Sequence, residues 1–333
     1  MSGQLYLGLD LGGTKIAAGV VSGSGKLFSL VRVATPAHGV RSDLRALFDA
    51  AQATLAAARI GWPKVKAVGV GVPGAVDPRT ETVWAPNLPG WKSVPLRRLL
   101  ERALGRPVFI EADRNVQAMA EAWLGAGKGA SDLIFLTVGT GIGAGIISSG
   151  RVVSGSRRVG GAAGWIAVTD RWQPAFARLG SLEAQAAGPT MVRAARLALR
   201  TQKRGVLARL ARADRKLTGE TLVRAARQGD ARARRILAEA GEHLGRGVAS
   251  MVALLNPELV IIGGGLAEAG DWLLAPLRRA AKKWGQPLAS RQVRIMRTRL
   301  GADIGVLGAA RCAMLEMERE KKSNVDFPSN QAG

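Results

Sequence analysis

Apolar positions along the chain alternate with small and polar ones in patterns that set out an architecture before any chemistry is considered. Residues 4–10, QLYLGLD, and 15–21, KIAAGVV, are two short strand-like runs. Leu11-Gly12-Gly13-Thr14 joins them as a glycine-rich turn, which predicts a β-hairpin at the start of a domain. Further strands are predicted near 28–33 and 65–72, the latter followed by Pro73-Gly74 and a loop-rich stretch over 73–95. Between those strands Leu44, Leu47, Phe48, Ala51 and Leu55 recur at helical spacing. A second hairpin is predicted from 133–138, LIFLTV, through Gly139-Thr140-Gly141-Ile142-Gly143 and into 144–148, AGIIS. It mirrors the first about 130 residues further on, so the chain reads as duplicated halves.

From 231 to 255, Ile236, Leu237, Ala240, Leu244, Val248, Met251, Val252 and Leu255 keep helical phase, which predicts a long buried helix ending at Asn256-Pro257. ELVIIGGGLAEAG then reads as a buried strand, a triple-glycine turn over 263–265 and the start of another helix. Such a start can bring backbone N–H groups close to a ligand. Residues 304–321 read as helix, and 323–333 as a disordered tail.

A length of 333 residues exceeds what one hydrophobic core usually fills, so two domains with a ligand cleft between them are expected. Cys312 is the only cysteine, which rules out an intrachain disulfide and a four-thiolate metal site. The N-terminal residues run straight into a strand without a basic and apolar leader, and no run approaches the ~20 apolar residues of a membrane helix. A cytoplasmic protein without a membrane partner is expected. The formal charge of +23 is concentrated over 191–240, where 14 Lys and Arg face 4 Asp and Glu. No aromatic residue interrupts that segment as a base-stacking surface requires, so it reads as solvated helix faces and not as a sequence-specific nucleic-acid site.

Two glycine motifs carry little weight. Gly69-Val70-Gly71-Val72-Pro73-Gly74 fits a dinucleotide pattern, but the residues after it do not open a helix. Gly127-Lys128 lacks both the first glycine and the Ser or Thr of a P-loop. The remaining motifs, in their order, resemble the ROK family of repressors, open reading frames and sugar kinases. Asp10-Leu11-Gly12-Gly13-Thr14-Lys15 resembles its first phosphate motif, Gly71-Val72-Pro73-Gly74 with Asp77 its substrate-side loop, and the Gly139–Gly145 run its second phosphate motif. Leu182-Glu183-Ala184, Ala187-Gly188-Pro189 and NPELVIIGGG match as well, so the resemblance spans nearly the whole chain.

The resemblance implies an α/β fold of two RNase H-like domains of the actin and hexokinase type, with a central nucleotide and substrate cleft. The smaller domain is expected over 1–112 with 304–322 returning to it, and the larger over 113–303. A glucokinase-like phosphotransferase using ATP and Mg2+ on a hexose or related polyol is the implied activity, with a homo-oligomer as its assembly. Nucleotide contacts are expected from Asp10, Gly12, Gly13, Thr14, Lys15, Gly139, Thr140, Gly141, Gly143, Gly264 and Gly265. Glycine turns suit this task because exposed N–H groups can approach phosphate oxygens without a Cβ in the way. Asp10 reads either as a magnesium carboxylate or as a strand-end residue tying down the turn.

Glu111-Ala112-Asp113-Arg114-Asn115 resembles the family's Glu-Asn-Asp-x-Asn, in which the Asp is the catalytic base, so Asp113 is the expected proton acceptor. The competing reading makes Asp113 a helix cap. Gly74, Asp113, Trp165 and Glu183 are the expected substrate contacts. Three departures from the family pattern stand out. Ala112 replaces a sugar-binding Asn, and Ala162 and Trp165 replace the acid and the His of Gly-Glu-x-Gly-His. The family's zinc element is also missing, since 166–182 contain neither Cys nor His, so no zinc and no metal-ligand set of the chain's own is expected. Trp165 either covers a sugar face or fills volume that the zinc element vacates. A DNA-binding domain ahead of residue 10 is not expected. Two rivals remain: a nucleotide-binding relative with weak or no sugar kinase activity, and a kinase that takes inorganic polyphosphate as donor.

Overall fold

The structure is a computed structural model and describes residues 3–201 and 203–326. The first half opens with β1 (Leu5–Leu11), β2 (Lys15–Ser22) and β3 (Leu27–Ala34), followed by α1 (Val40–Ala58) and β4 (Val65–Val72). A two-residue hairpin, β5 (Ala75–Val76) and β6 (Val83–Trp84), leads to α2 (Leu96–Leu104), β7 (Val108–Ala112) and α3 (Asp113–Leu124). The sheet order is β3-β2-β1-β4-β7, with β1 and β2 antiparallel and β1, β4 and β7 parallel. Asp10 lies beside Gly71, and Gly71 beside Glu111, so the three parallel strands end at one level. Ligands of open α/β sheets collect at such carboxyl ends.

Alternation along β1 decides what covers each face. Leu7, Leu9 and Leu11 are fully buried in one core with Leu47, Ala51 and Leu55 of α1. The even positions face the C-terminal helix, Ile304–Asp326. There Gly8 of β1 and Gly69 of β4 let the helix backbone lie against the sheet, because a Cβ on either would run into the carbonyls of Val306 and Ala309. Both faces are thereby covered, which is why β1 and β4 read as nearly continuous apolar runs.

The second half repeats the scheme. β8 (Leu133–Val138), β9 (Ile142–Ser148) and β10 (Arg151–Val152) form its antiparallel part. Then come α4 (Phe176–Leu179), α5 (Ser181–Ala186), α6 (Gly188–Thr201), α7 (Val206–Ala213), α8 (Gly219–Arg227) and α9 (Ala231–Leu255). β11 (Leu259–Gly263), α10 (Asp271–Trp284), α11 (Ala289–Gln292) and β12 (Arg294–Arg297) complete it. The sheet order β10-β9-β8-β11-β12 has the same mixture of an antiparallel hairpin and two further parallel strands as the first sheet. The sequence duplication is therefore a duplication of topology. α9 keeps its expected limits: Asp230 caps it through the N–H groups of Arg232 and Ala233, and Asn256 ends it in the left-handed region at φ 42°. Gly241 and Gly245 bring α9 against the backbone of α10.

Two units divide the chain: Met1–Gly125 with Ser154–Val159 and Leu300–Gly333, and Ala126–Val153 with Gly160–Arg299. The expected break at 112/113 falls instead after Gly125. The reason is packing: Gly308 of the C-terminal helix meets the backbone of Val116, so α3 is held with the first unit. The first unit also takes the strap Ser154–Val159 and begins its last segment at Leu300 in place of 304. The C-terminal helix continues through 323–326, where a tail was expected, and the rest of that tail, 327–333, lies outside the described residues. No helix among the described residues is long and apolar enough to cross a membrane.

Candidate active site

In the first unit the reactive groups gather where β1, β4 and β7 end. Asp10 is the penultimate residue of β1, and the Gly12 N–H donates to the Lys15 carbonyl at 2.9 Å to close the turn behind it. Thr35, the residue after β3, pins this turn from outside. Its hydroxyl donates to the Gly12 carbonyl at 2.7 Å, and its N–H to the Thr14 carbonyl at 3.0 Å. Gly12 is partly covered, while Gly13, Thr14 and Lys15 are exposed at the tip. None of the turn's glycines takes a positive φ, so conformational freedom does not explain them. A Cβ on Gly13 would meet no protein atom within 4 Å, so this tip stands in open space.

Asp113 is the first residue of α3, directly after β7. The N-cap position belongs to Ala112, which has no side-chain cap hydrogen bond, and one residue further in stands Asp113. Its carboxylate accepts the Arg114 N–H at 2.7 Å. Gly71 lies between the two acids, the place of its missing Cβ being 3.5 Å from Asp10 Oδ1 and 3.8 Å from Asp113 Cα. The base segment is braced from below by buried Glu111, whose Oε1 accepts from the Ala112 N–H at 2.8 Å and from Asn115 Nδ2 at 3.0 Å. Ala112 itself is buried and brings no polar group where the family pattern has Asn.

Burial, with the charge of Asp113 as a second cause and Lys15 opposing, pushes the Asp10 carboxyl up from 3.8 to about 6. Burial raises that of Asp113 too, against the N–H and the charge of Arg114. Two carboxylates short of compensating charge are a donor set that Mg2+ carrying phosphate oxygens fits. The sign of the linkage is testable on the free protein. Between pH 4 and 6 the folded chain holds a proton on Asp10 that the unfolded chain has lost, so stability falls as pH rises through that window. Asp10→Asn is therefore expected to melt higher than the parent at pH 7.5, the gap shrinking below pH 6 and closing near pH 4. Equal melting temperatures across the range would contradict this.

In the second unit the β8–β9 turn is clamped on three sides. The Gly188 N–H donates to the Gly139 carbonyl at 2.8 Å, and the Ile142 N–H donates to Glu183 Oε2 at 2.8 Å. Gly264, at φ 82°, lies against the Val138 backbone, a conformation and an approach that a side chain would prevent. A Cβ on Gly139 or Gly265 would touch nothing within 4 Å, the same open space as at Gly13, and Thr140 is exposed at the tip. Gly143 continues into β9. Burial raises the Glu183 carboxyl, offset by the Ile142 N–H. Gly164 packs on Glu183, so Trp165, in the short turn Ala163–Trp165, stands next to this acid. Trp165 is 58% exposed, so it fills no core volume and the packing reading of Trp165 falls away.

The ROK family model matches residues 6–315. This chain belongs to the ROK family. The glucokinase of Thermotoga maritima is 33% identical over 307 residues, which is 91% of this chain and 95% of that protein. A ROK hexokinase structure from Thermus thermophilus is 37% identical at a TM-score of 0.75, covering 95% of this chain and 99% of that one. A ROK family glucokinase from Streptomyces griseus, solved in complex with glucose and AMPPNP, is 34% identical at a TM-score of 0.80 over 93% and 99%.

Each unit of this ROK chain thus assembles its own share of the expected residues: Asp10, the Gly12–Lys15 turn, Gly74 and Asp113 in the first, the Gly139–Gly143 turn, Gly264, Gly265, Trp165 and Glu183 in the second. Sequence reasoning missed Thr35, Gly305 and the contacts of Arg114. Thr35 carries no local signal. Gly305 could have been suspected, since Gly305 and Gly308 recur at i and i+3 where a helix tolerates glycine poorly. A Cβ on Gly305 would overlap the Asp10 carboxylate.

Proposed function

We propose that this chain is an ATP-dependent sugar kinase in which Asp113 is the general base. The observation that carries this reading is the pairing of Asp113 with Asp10 at the ends of parallel strands, in a chain whose relatives include glucokinases. Asp113 takes the proton of an acceptor hydroxyl as that oxygen bonds to the γ-phosphorus, and the bond to the β–γ bridging oxygen breaks to release ADP. A raised carboxyl suits the role, since a stronger proton acceptor gives a larger driving force. The open space at the tips of the two glycine turns, at Gly13 and Gly139, takes phosphate oxygens, and Lys15 adds a cation at its turn. Mg2+, when bound, neutralises phosphate charge, with Asp10 as the carboxylate that would hold it.

Glucose and an ATP analogue occupy the Streptomyces griseus relative, which supports a hexose acceptor here. The buried Cys312 thiol is pushed far up by its apolar surroundings and is no thiolate ligand, so magnesium and not zinc is proposed as the ion. The test is ATP consumption against a panel of hexoses, amino sugars and cyclitols, with and without Mg2+, on protein whose zinc content has been measured. Turnover with none of them, or stoichiometric zinc, rejects the reading. Cytoplasmic residence and a homo-oligomer free of sequence-specific nucleic acid belong to the same proposal, and are read by fractionation, light scattering and gel shift.

Acceptor choice rests on Ala162, Trp165 and Glu183. An exposed indole offers an apolar face and one donor, and does not replace an acid and an imidazole. We expect an acceptor less hydroxylated than glucose, or modified relative to it. Replacing Trp165 with His and Ala162 with Glu is expected to move kcat/KM toward glucose by at least about tenfold, or ~1.4 kcal/mol. A folded double variant with an unchanged acceptor ranking would leave Trp165 without this role.

A further inference from the structure

We infer that Arg114 is a positioning residue that ties the acceptor-side backbone together on both sides of the base; the inference rests on the kinase reading of Asp113. Nη1 of its guanidinium donates to the Gly74 carbonyl at 3.0 Å and Nη2 to the Arg158 carbonyl at 3.3 Å. One side chain in the first turn of α3 thus holds two loops that are distant in sequence.

Both loops matter to Asp113 by position. The first leaves β4 through Gly71, which packs on Asp10 and Asp113, and turns at Gly74, where the N–H donates to the Val72 carbonyl at 2.9 Å. Gly74 is also wedged against the Trp84 carbonyl, so the loop has one fixed side and one side set by Arg114. The second is the strap Ser154–Val159, which the chain enters from β10 and leaves toward Ala162 and Trp165. Two other ties of the strap to the base segment are long: Asn115 Nδ2 reaches Ser154 Oγ at 3.5 Å, and Arg158 Nη1 reaches Glu111 Oε2 at 3.8 Å. The planar fork of arginine can serve two carbonyls at once, which a lysine ammonium on its flexible stem does less well. With Ala112 offering no amide, backbone position at Gly74 and Arg158 becomes the means by which this segment shapes what reaches Asp113.

The experiment compares Arg114→Gln and Arg114→Lys with the parent, using ATP and glucose as probes, and follows amide hydrogen exchange on the protein without ligands. Arg114→Gln is expected to raise KM for glucose about tenfold while leaving KM for ATP unchanged, and Arg114→Lys to recover part of that loss. Exchange should rise in 71–77 and 154–159 and stay the same in the β1–β2 turn. Unchanged exchange in both loops, an unchanged glucose KM, or an equal rise in both KM values would overturn the assignment. If Arg114→Gln does not fold, Arg114→Lys alone must show the glucose-specific change, and its absence there has the same force. Asp113→Asn run alongside separates the two questions: full activity in that variant removes the base and this inference with it, whereas an inactive Asp113→Asn beside an unaffected Arg114→Gln removes this inference alone.

Discussion

Asp113→Asn is expected to lower kcat by about a thousandfold while ATP affinity stays within a few-fold of the parent. The change is isosteric. The Asn oxygen can keep the 2.7 Å bond from the Arg114 N–H, Glu111 still braces the segment, and neither glycine turn is touched. What disappears is the proton acceptor and one negative charge. That charge is the second cause of the raised Asp10 carboxyl, so its removal lets Asp10 ionise more readily. The variant should for that reason melt no lower than the parent at pH 7.5, which separates a chemical loss from a folding defect. Single-turnover phosphotransfer and calorimetric ATP binding decide the matter. Turnover near the parent rate would remove Asp113 as base, and loss of ATP binding in step with kcat would show that the residue acts on the nucleotide instead.

Much of this arrangement is legible in the sequence because it is local. The two hairpins announce themselves as strand, glycine turn, strand, and α9 as an apolar stripe that stops at Asn256-Pro257. Asp113 follows a strand and opens a helix, a placement that depends on a dozen consecutive residues. What escaped is what long-range packing decides. The domain boundary moved from 112 to Gly125 because Gly308, nearly 200 residues away, meets Val116. Thr35 holds the first turn through two hydrogen bonds that no periodicity records. The fate of Trp165 turned on its exposure, which its neighbours in sequence do not set.

Gly305 is the case in which local propensity and the site point in opposite directions. It is the second residue of the C-terminal helix, and in an exposed helix Gly→Ala would be expected to add about 1 kcal/mol of stability. Here the new methyl group would stand in the place of the Asp10 carboxylate. Neighbouring glycines behave otherwise: at Gly8, Gly69 and Gly308 the obstacle is backbone, so a side chain there disturbs the fold itself. At Gly305 the obstacle is the free end of a side chain, which can turn aside while the helix and the sheet keep their places. Gly305→Ala is therefore expected to fold with a melting temperature close to the parent's and to lose about a hundredfold in kcat/KM for ATP, the scale on which a displaced positioning group of ~1 Å costs activity. Asp10→Asn keeps the size of the side chain and removes its charge, so Gly305→Ala combined with Asp10→Asn lacks the carboxylate altogether; the double variant is expected to be as inactive as Asp10→Asn alone, the two losses failing to add. Measured kcat/KM for the three variants decides it. Additive losses, or a Gly305→Ala enzyme as active as the parent, would mean that Asp10 does not need the space that Gly305 leaves.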